Sequence, residues 1–284
     1  MISKLLAAGR VTVFAGAMAF AATLAIAAEE TPYVPTPQVV VDTMLKMAKP
    51  RAGEHLIDLG SGDGRIVITA AKQYGVTGFG VDHDPRLVQF ATRLAQDQRV
   101  AQRVKFSRED LFLTDLRRAN ILTMYLLPDV NMELRPRIWE QLRPGTRIVT
   151  HDYDFGDWRP NDKVVIPVPN KPVGPLKQST VFLFVMPAKV AGTWEGTIGQ
   201  GKAKRVLVLN FGQNFNDLTA NGVLVSEPVS ISDPKIDANR LAFEIQLDGQ
   251  SYKFAGTVAG EQLTGEMRGA KTRWPFRAKR TGAA

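Results

Sequence analysis

The chain contains no cysteine, which removes disulfide frameworks, Cys-ligated zinc, iron–sulfur clusters and thiol nucleophiles together and leaves the redox compartment unreadable. Its three histidines, His55, His83 and His151, are far apart and lack ligand spacing, so no metal site is expected. A G-x-S-x-G elbow is missing as well: Ser61 sits in Leu59-Gly60-Ser61-Gly62, one position off the pattern, and hydrolase chemistry has no nucleophile to name. Internal repeats are absent, as is low-complexity sequence beyond the N-terminal segment, and no stretch after residue 28 is long and apolar enough to span a membrane. What is present is a globular composition, 44% hydrophobic and 23% charged over 284 residues. That length fits one large domain or two smaller ones, because single cores stop growing near ~250–300 residues. The formal net charge of +8 becomes +6 without Lys4 and Arg10, a modest excess that favours anionic surfaces.

Residues 1–28 place Lys4 and Arg10 before an uncharged, Ala-rich run from Val11 to Ala28 that ends Ala25-Ile26-Ala27-Ala28. The pattern is that of a secretory leader with a small-residue cleavage site; the alternative is an uncleaved N-terminal anchor. Either way the rest of the chain is expected outside the cytoplasmic membrane or tethered to it.

From about Thr31 to 186 helical and strand periods alternate, which predicts an α/β fold with a seven-strand, Rossmann-like sheet. Thr36 followed by Pro37 reads as a helix cap with proline at the first helical position, opening a helix over about 37–49. His55–Leu59 is an apolar strand, Gly60–Gly64 a glycine loop, and Ile66 to Tyr74 a buried helix. Gly78–Asp82 is a second strand, and Asp84-Pro85 caps the next helix. Further strands are expected near 103–107, 120–126, 146–151, 163–168 and 180–185, with a helix near 129–142. Past a linker at 187–192 the helical period vanishes. Short alternating runs at 193–198, 205–211, 223–225, 241–247, 252–258, 263–267 and 274–277 predict a small antiparallel β-barrel or sandwich over 192–284.

The loop Asp58-Leu59-Gly60-Ser61-Gly62-Asp63-Gly64 lies between strand and helix, as a nucleotide-binding loop must, but Arg65 stands where the dinucleotide fingerprint needs its third glycine. Two flanking carboxylates, Asp58 and Asp63, would repel a diphosphate and suit a ligand carrying an ammonium and a sulfonium. S-adenosylmethionine is such a ligand. Asp82, at the end of the second strand, is placed to accept both ribose hydroxyls, and Asp110, after the third, to accept from the adenine amino group. Each acid taken singly is also explained as a strand-end cap or turn residue.

These residues resemble motif I of seven-strand (class I) S-adenosylmethionine-dependent methyltransferases, with Asp82 and Asp110 at the ribose and adenine positions. More narrowly, Tyr33-Val34-Pro35-Thr36, Asp58 to Ile68, Tyr125-Leu126-Leu127-Pro128, Leu142-Arg143-Pro144-Gly145-Thr146-Arg147 and Asp157-Trp158-Arg159-Pro160 are similar to a family of small protein-lysine methyltransferases. Its members include the mitochondrial enzyme acting on the c-ring protein of ATP synthase and archaeal broad-specificity enzymes. The resemblance spans about 31–186. It implies that Tyr33, Pro35 and Thr36 close over the cofactor, although Thr36 is also fully explained as a helix cap. Many amino-methylating relatives carry Asn/Asp-Pro-Pro-Tyr after strand four, where this chain has Tyr125-Leu126-Leu127-Pro128.

Methyl transfer to lysine requires alignment and exclusion of water rather than a strong base. Tyr125, Tyr153 and Trp158, at or after the ends of strands four and five, are expected to line the acceptor site, where cation–π contact and desolvation act on the ammonium. The alternative for each is a packed aromatic under a loop. The partner implied is a protein with a lysine acceptor, in one version a membrane protein. No nucleic acid partner is expected, since the basic run Lys271, Arg273, Arg277, Lys279 and Arg280 reads as a solvated strand face. Two competing functions remain open at this level: a non-catalytic cofactor-binding scaffold and a small-molecule methyltransferase. Gly192-Thr193-Trp194 faintly resembles the start of lipocalin-like barrels, with Trp194 as a plug at one end.

Overall fold

A computed structural model describes residues 33–198 and 204–282. The expected leader, residues 1–28, lies outside the described residues. Among the described residues no helix is long and apolar enough to cross a membrane.

The first sheet is assembled from α1 (Gln38–Ala48), β1 (His55–Leu59), α2 (Arg65–Tyr74), β2 (Thr77–Asp82), α3 (Pro85–Asp97), β3 (Val104–Arg108), β4 (Ile121–Met124), α4 (Pro128–Gln141), β5 (Arg147–His151), β6 (Asp162–Pro167) and β7 (Gln178–Val185). Its seven strands run in the order β3-β2-β1-β4-β5-β7-β6, parallel except for β7, which pairs antiparallel with β5 and β6. The strands stand within a few residues of their expected positions. Chain order reverses between β1 and β4, and in such sheets the crevice beyond the carboxyl ends at that point is where ligands bind.

Both faces of the sheet are buried, and β1 and β4 are buried along almost their whole length, with Asp58 and Thr123 the buried polar exceptions among apolar residues. Alternation along β1 sends Leu56 to the side of α1, α2 and α3 and Ile57 to the side of α4. On α1, Val40, Val41, Met44 and Leu45 are fully buried at helical spacing; each contributes about 1.5–3 kcal/mol through burial. The helix ends at Lys49 in the left-handed region (φ 48°), before Pro50. Its start differs from expectation. The helix begins at Gln38, Pro37 holds the cap position without a side-chain cap bond, and Thr36 turns inward, 6% exposed. The α4 face has a single helix, and its remaining area is closed by Phe155, Trp158, Phe184 and a side chain from the second sheet, Phe215.

The second sheet comprises β8 (Gly192–Ile198), β9 (Arg205–Asn214), β10 (Asp217–Leu224), β11 (Glu227–Val229), β12 (Ile231–Asp237), β13 (Arg240–Leu247), β14 (Gln250–Ala259), β15 (Gln262–Arg268) and β16 (Arg273–Gly282). The order is β11-β10-β9-β8-β16-β15-β14-β13-β12, all antiparallel. The two ends of this order are one chain segment: residues 227–229 pair with β10 and residues 231–237 with β13, so the meander closes on itself at Ser230. That segment is absent from the sequence expectation, because Pro228 and Pro234 and a bulge between Ser232 and Lys235 break its alternation.

The barrel interior is packed with side chains, Phe243 on Phe254 at 4.7 Å and Phe254 against Phe276 at 5.6 Å. Trp194, 1% exposed, donates from Nε1 to the Val190 carbonyl at 2.8 Å and lies under the Arg280 guanidinium at 4.7 Å. Much of the final strand's positive charge is paired, Arg273 with Glu266 and Arg280 with Glu261. The connecting residues are tied to both sheets: the Met186 amide donates to Thr146 and the Ala188 amide to Ala238.

Candidate active site

At the carboxyl edge of β1 the chain turns through Gly60, Gly62 and Gly64, all with positive φ (72°, 54° and 76°). The left-handed backbone favours glycine at each, and close packing adds to this at two of them. A Cβ on Gly60 would lie 2.7 Å from Leu126 Cδ2, and one on Gly64 would lie 2.5 Å from the Phe106 ring. The Ser61 amide donates to the Val81 carbonyl at 2.8 Å, fixing the loop against β2.

Asp82 organises the ring of loops. Its Oδ2 accepts from the Gly62 amide at 2.8 Å and its Oδ1 from the Asp84 amide at 3.0 Å, while its carbonyl accepts from the Glu109 amide at 3.2 Å. The Glu109–Asp110 segment is thereby held beside the end of β2. Asp110 itself is exposed and accepts from the Phe112 amide at 2.8 Å. Asp58, 2% exposed, accepts from Thr123 Oγ1 at 2.7 Å. Burial pushes its carboxyl up to about 7, the Thr123 bond opposes this, and the charges of Asp82 and Asp63 add to the rise. Asp63 is answered differently from expectation: the Arg65 guanidinium spans both its oxygens, Nε at 2.9 Å from Oδ1 and Nη2 at 2.5 Å from Oδ2. Of the two flanking acids, only Asp58 is left without a cation beside it.

Arg65 also donates from Nη1 to the Thr36 carbonyl at 2.8 Å, drawing the segment before α1 to the loop. Tyr33 is exposed. Thr36 is therefore not a cap; its Oγ1 lies 3.5 Å from His151 Nδ1. The loop fits a cation with hydrogen-bonding groups: Ser61 Oγ is buried without a partner, and of the three carboxylates Asp58, Asp63 and Asp82 only Asp63 is paired with the Arg65 guanidinium. S-adenosylmethionine matches this set through its ammonium, sulfonium and hydroxyls.

Beyond β4 and β5 stands an aromatic wall. The register pairs Met124 with Thr150, so the next residues on each strand, Tyr125 and His151, meet with ring centroids 3.8 Å apart, and Tyr153 stacks on Tyr125 at 6.4 Å. His151 is 1% exposed with Nε2 2.9 Å from Ser179 Oγ. Burial pulls its pKa down to about 4 against the pull of Asp152, and Lys171 lowers it further, so the imidazole is neutral above that pH. Tyr125 is pushed up to about 12 by burial, then by Asp152 and Tyr153, and keeps its proton. Tyr153 is held by its backbone: Thr150 Oγ1 donates to its carbonyl at 2.5 Å, and Asn131 Nδ2 donates to the carbonyls of Tyr153 and Asp154 at 3.3 and 3.4 Å.

Trp158 does not join this wall. It is fully buried, with its ring stacked on Phe215 at 4.6 Å and 7° and packed edgewise on Trp139 and Phe184. The expectation that it lines the acceptor site is corrected for this reason. His151, Asn131 and Arg65 are the residues that sequence reasoning passes over. For His151 a signal exists in its position immediately before Asp152-Tyr153 at a strand end.

Comparison with known proteins identifies relatives of this part of the chain. The profile described as the ANTKMT methyltransferase domain matches residues 58–162. A protein-lysine N-methyltransferase of Saccharolobus islandicus is 36% identical over 156 residues, covering 55% of this chain and 93% of that protein. The human ATP synthase c-subunit lysine N-methyltransferase is 31% identical over 130 residues; 46% of this chain aligns with 55% of that protein. A solved structure described as an RNA methyltransferase from Salinibacter ruber in complex with S-adenosyl-L-homocysteine is 44% identical, covering 55% of this chain and 96% of that one with a TM-score of 0.50.

Proposed function

The chain belongs to the class I S-adenosylmethionine-dependent methyltransferases, among the relatives of the lysine N-methyltransferases of the ATP synthase c-subunit and the adenine nucleotide translocase, and from that premise we propose that it methylates the side-chain amine of lysine in a protein. The observation that carries this reading is the identity with the archaeal protein-lysine enzyme, nearly all of which is covered. The aromatic wall at the carboxyl edge supports it.

S-adenosylmethionine, when bound, supplies an electrophilic methyl on a sulfonium whose displacement leaves a neutral thioether. Asp82 would hold the ribose hydroxyls, Ser61 and the glycine amides the adjoining polar groups, and Asp58 the positive tail. Tyr125 and Tyr153 receive the lysine ammonium on their faces and remove it from water, which lowers its pKa and favours loss of its proton to solvent. The neutral His151 behind Tyr125 adds no positive charge that would repel it. Tyr125 and His151 are both pushed away from neutrality, so the wall works by alignment.

Two finer points belong to the same proposal. Relatives are named for the ATP synthase c-subunit and the adenine nucleotide translocase, and we assign a membrane-protein substrate. Residues 1–28, with their apolar run behind Lys4 and Arg10, direct the chain to or across a membrane. A second reading, an RNA acceptor, is favoured by the Salinibacter structure, which is described as that of an RNA methyltransferase. The test incubates the full chain with methyl-labelled cofactor and separate membrane, soluble-protein and RNA fractions, followed by hydrolysis. Labelled methyl-lysine from the membrane fraction is expected. Label in nucleosides alone would replace the proposal with the second reading.

A further inference from the structure

We propose that Phe215, at the tip of a barrel hairpin, is a positioning residue for the acceptor site, holding the segment that carries Tyr153; this rests on the methyltransferase reading above. It lies outside the matched family profile, which ends at residue 162.

The backbone gives the first indication. β9 and β10 are joined by a two-residue turn, Phe215-Asn216, closed by the pair Asn214 and Asp217. Phe215 has φ 54°, a left-handed conformation that Gly, Asn or Asp adopts at less cost in such turns. A bulky aromatic kept there points to what its ring touches. The ring stacks on Trp158 at 4.6 Å, meets Trp139 edgewise at 5.3 Å, and lies under the Arg135 guanidinium at 5.0 Å.

The neighbours of Phe215 grip the same segment. Asn214 Nδ2 donates to Asp157 Oδ2 at 3.2 Å, Asn216 Nδ2 to the Arg159 carbonyl at 2.9 Å, and Asp217 pairs with Arg159 at 3.3 Å. Arg135 donates to the Phe155 carbonyl at 2.9 Å and pairs with Asp157. Residues 155–159 are thus fixed between α4 and the hairpin, beginning two residues after Tyr153. The α4 face of the sheet has no second helix to support this loop. The barrel supplies that support, and Tyr153 stacks on Tyr125 only while the loop behind it is held.

The test uses full-length Phe215→Gly, which removes the ring while relieving the turn, and Phe215→Tyr as the conservative control. Phe215→Gly is expected to lower kcat for a lysine-bearing acceptor about tenfold, since small misplacements at a distance cost that much alignment. Its Kd for S-adenosylmethionine should stay at the wild-type value, its unfolding midpoint should fall because a packed ring is lost but remain above the assay temperature, and Phe215→Tyr should restore both the midpoint and kcat. Independently of turnover, amide hydrogen exchange across 152–159 should quicken at least tenfold, with peptides of the glycine loop unchanged. Unchanged exchange, or quickened exchange with wild-type kcat, would overturn the positioning role. A wild-type chain that binds cofactor yet methylates no lysine refutes the acceptor reading instead, and the exchange arm still decides whether Phe215 holds the loop.

Discussion

Asp58→Asn should make the cofactor-free protein more stable, and increasingly so as pH rises. Asp58 is 2% exposed and its carboxyl is pushed up to about 7 from an ordinary 3.8, first by burial and then by Asp82 and Asp63. A folded-state pKa above the unfolded one means that the native protein holds a proton that the unfolded chain has released. The contribution of Asp58 is therefore fully present below 3.8, falls as pH rises through 7, and is flat beyond that. At 1.36 kcal/mol per unit the loss has a ceiling of about 4 kcal/mol, of which roughly 2–3 kcal/mol falls between pH 5 and 8. Asparagine keeps the acceptor for Thr123 Oγ1 and has no charge to desolvate. His151, lowered to about 4, titrates outside that interval. With ~2–4 °C per kcal/mol for a chain of this size, the variant's advantage in Tm should widen by roughly 5–10 °C from pH 5 to pH 8. Thermal unfolding followed by circular dichroism, without cofactor, reads this directly. A Tm difference constant across pH, or a less stable variant at pH 8, would refute the reasoning.

Gly64→Ala combines left-handed strain with a Cβ 2.5 Å from the Phe106 ring and 2.9 Å from Ala91; it should destabilise the protein by about 2–4 kcal/mol, and an unchanged urea midpoint would contradict the packing argument. Asn131→Ala removes both side-chain donors to the carbonyls of Tyr153 and Asp154; transfer to lysine should fall about tenfold with cofactor affinity intact, a split that titration calorimetry and initial rates resolve. Deleting residues 1–28 should move the chain from the membrane or exported fraction to the cytoplasm, and an unaltered distribution on fractionation would remove the leader from the proposal.

The parallel half of the fold is legible because its signals are local. A glycine loop between an apolar strand and a buried helix, Asp82 at the next strand end and Asp84-Pro85 as a helix start each declare themselves within a few residues. What escapes depends on tertiary neighbours. Thr36-Pro37 has the form of a cap, yet Arg65 draws the Thr36 carbonyl inward and the helix starts later. Trp158 has the right place in the chain for an acceptor wall, yet Phe215, 57 positions away, claims its face. His151 lacks the spacing of a metal ligand, and its strand-end position before Asp152-Tyr153 is only a weak signal; its role follows from the β4–β5 register that puts it against Tyr125. In the barrel, prolines hide a segment whose pairing switches sides at Ser230.

The instability that Asp58 brings to the empty protein is also the source of its grip on a cation. A positive ligand stabilises the ionised carboxylate, so binding is linked to release of the Asp58 proton. With a carboxyl near 7, the ionised fraction rises about tenfold or more between pH 5.5 and 7, and affinity for S-adenosylmethionine should tighten by a similar factor over that interval. The ligand's own ammonium stays charged there, because α-amino groups titrate at about 7.7–8.0. Comparison with S-adenosylhomocysteine assigns the contact. That product retains the ammonium and lacks the sulfonium, so equal pH slopes for both ligands mean that Asp58 answers the ammonium, and a slope confined to S-adenosylmethionine means that it answers the sulfonium. Either slope should vanish in Asp58→Asn. Calorimetric titrations at pH 5.5, 6.2 and 7 decide the matter, and a slope that survives the substitution would show that the linked proton belongs to another group.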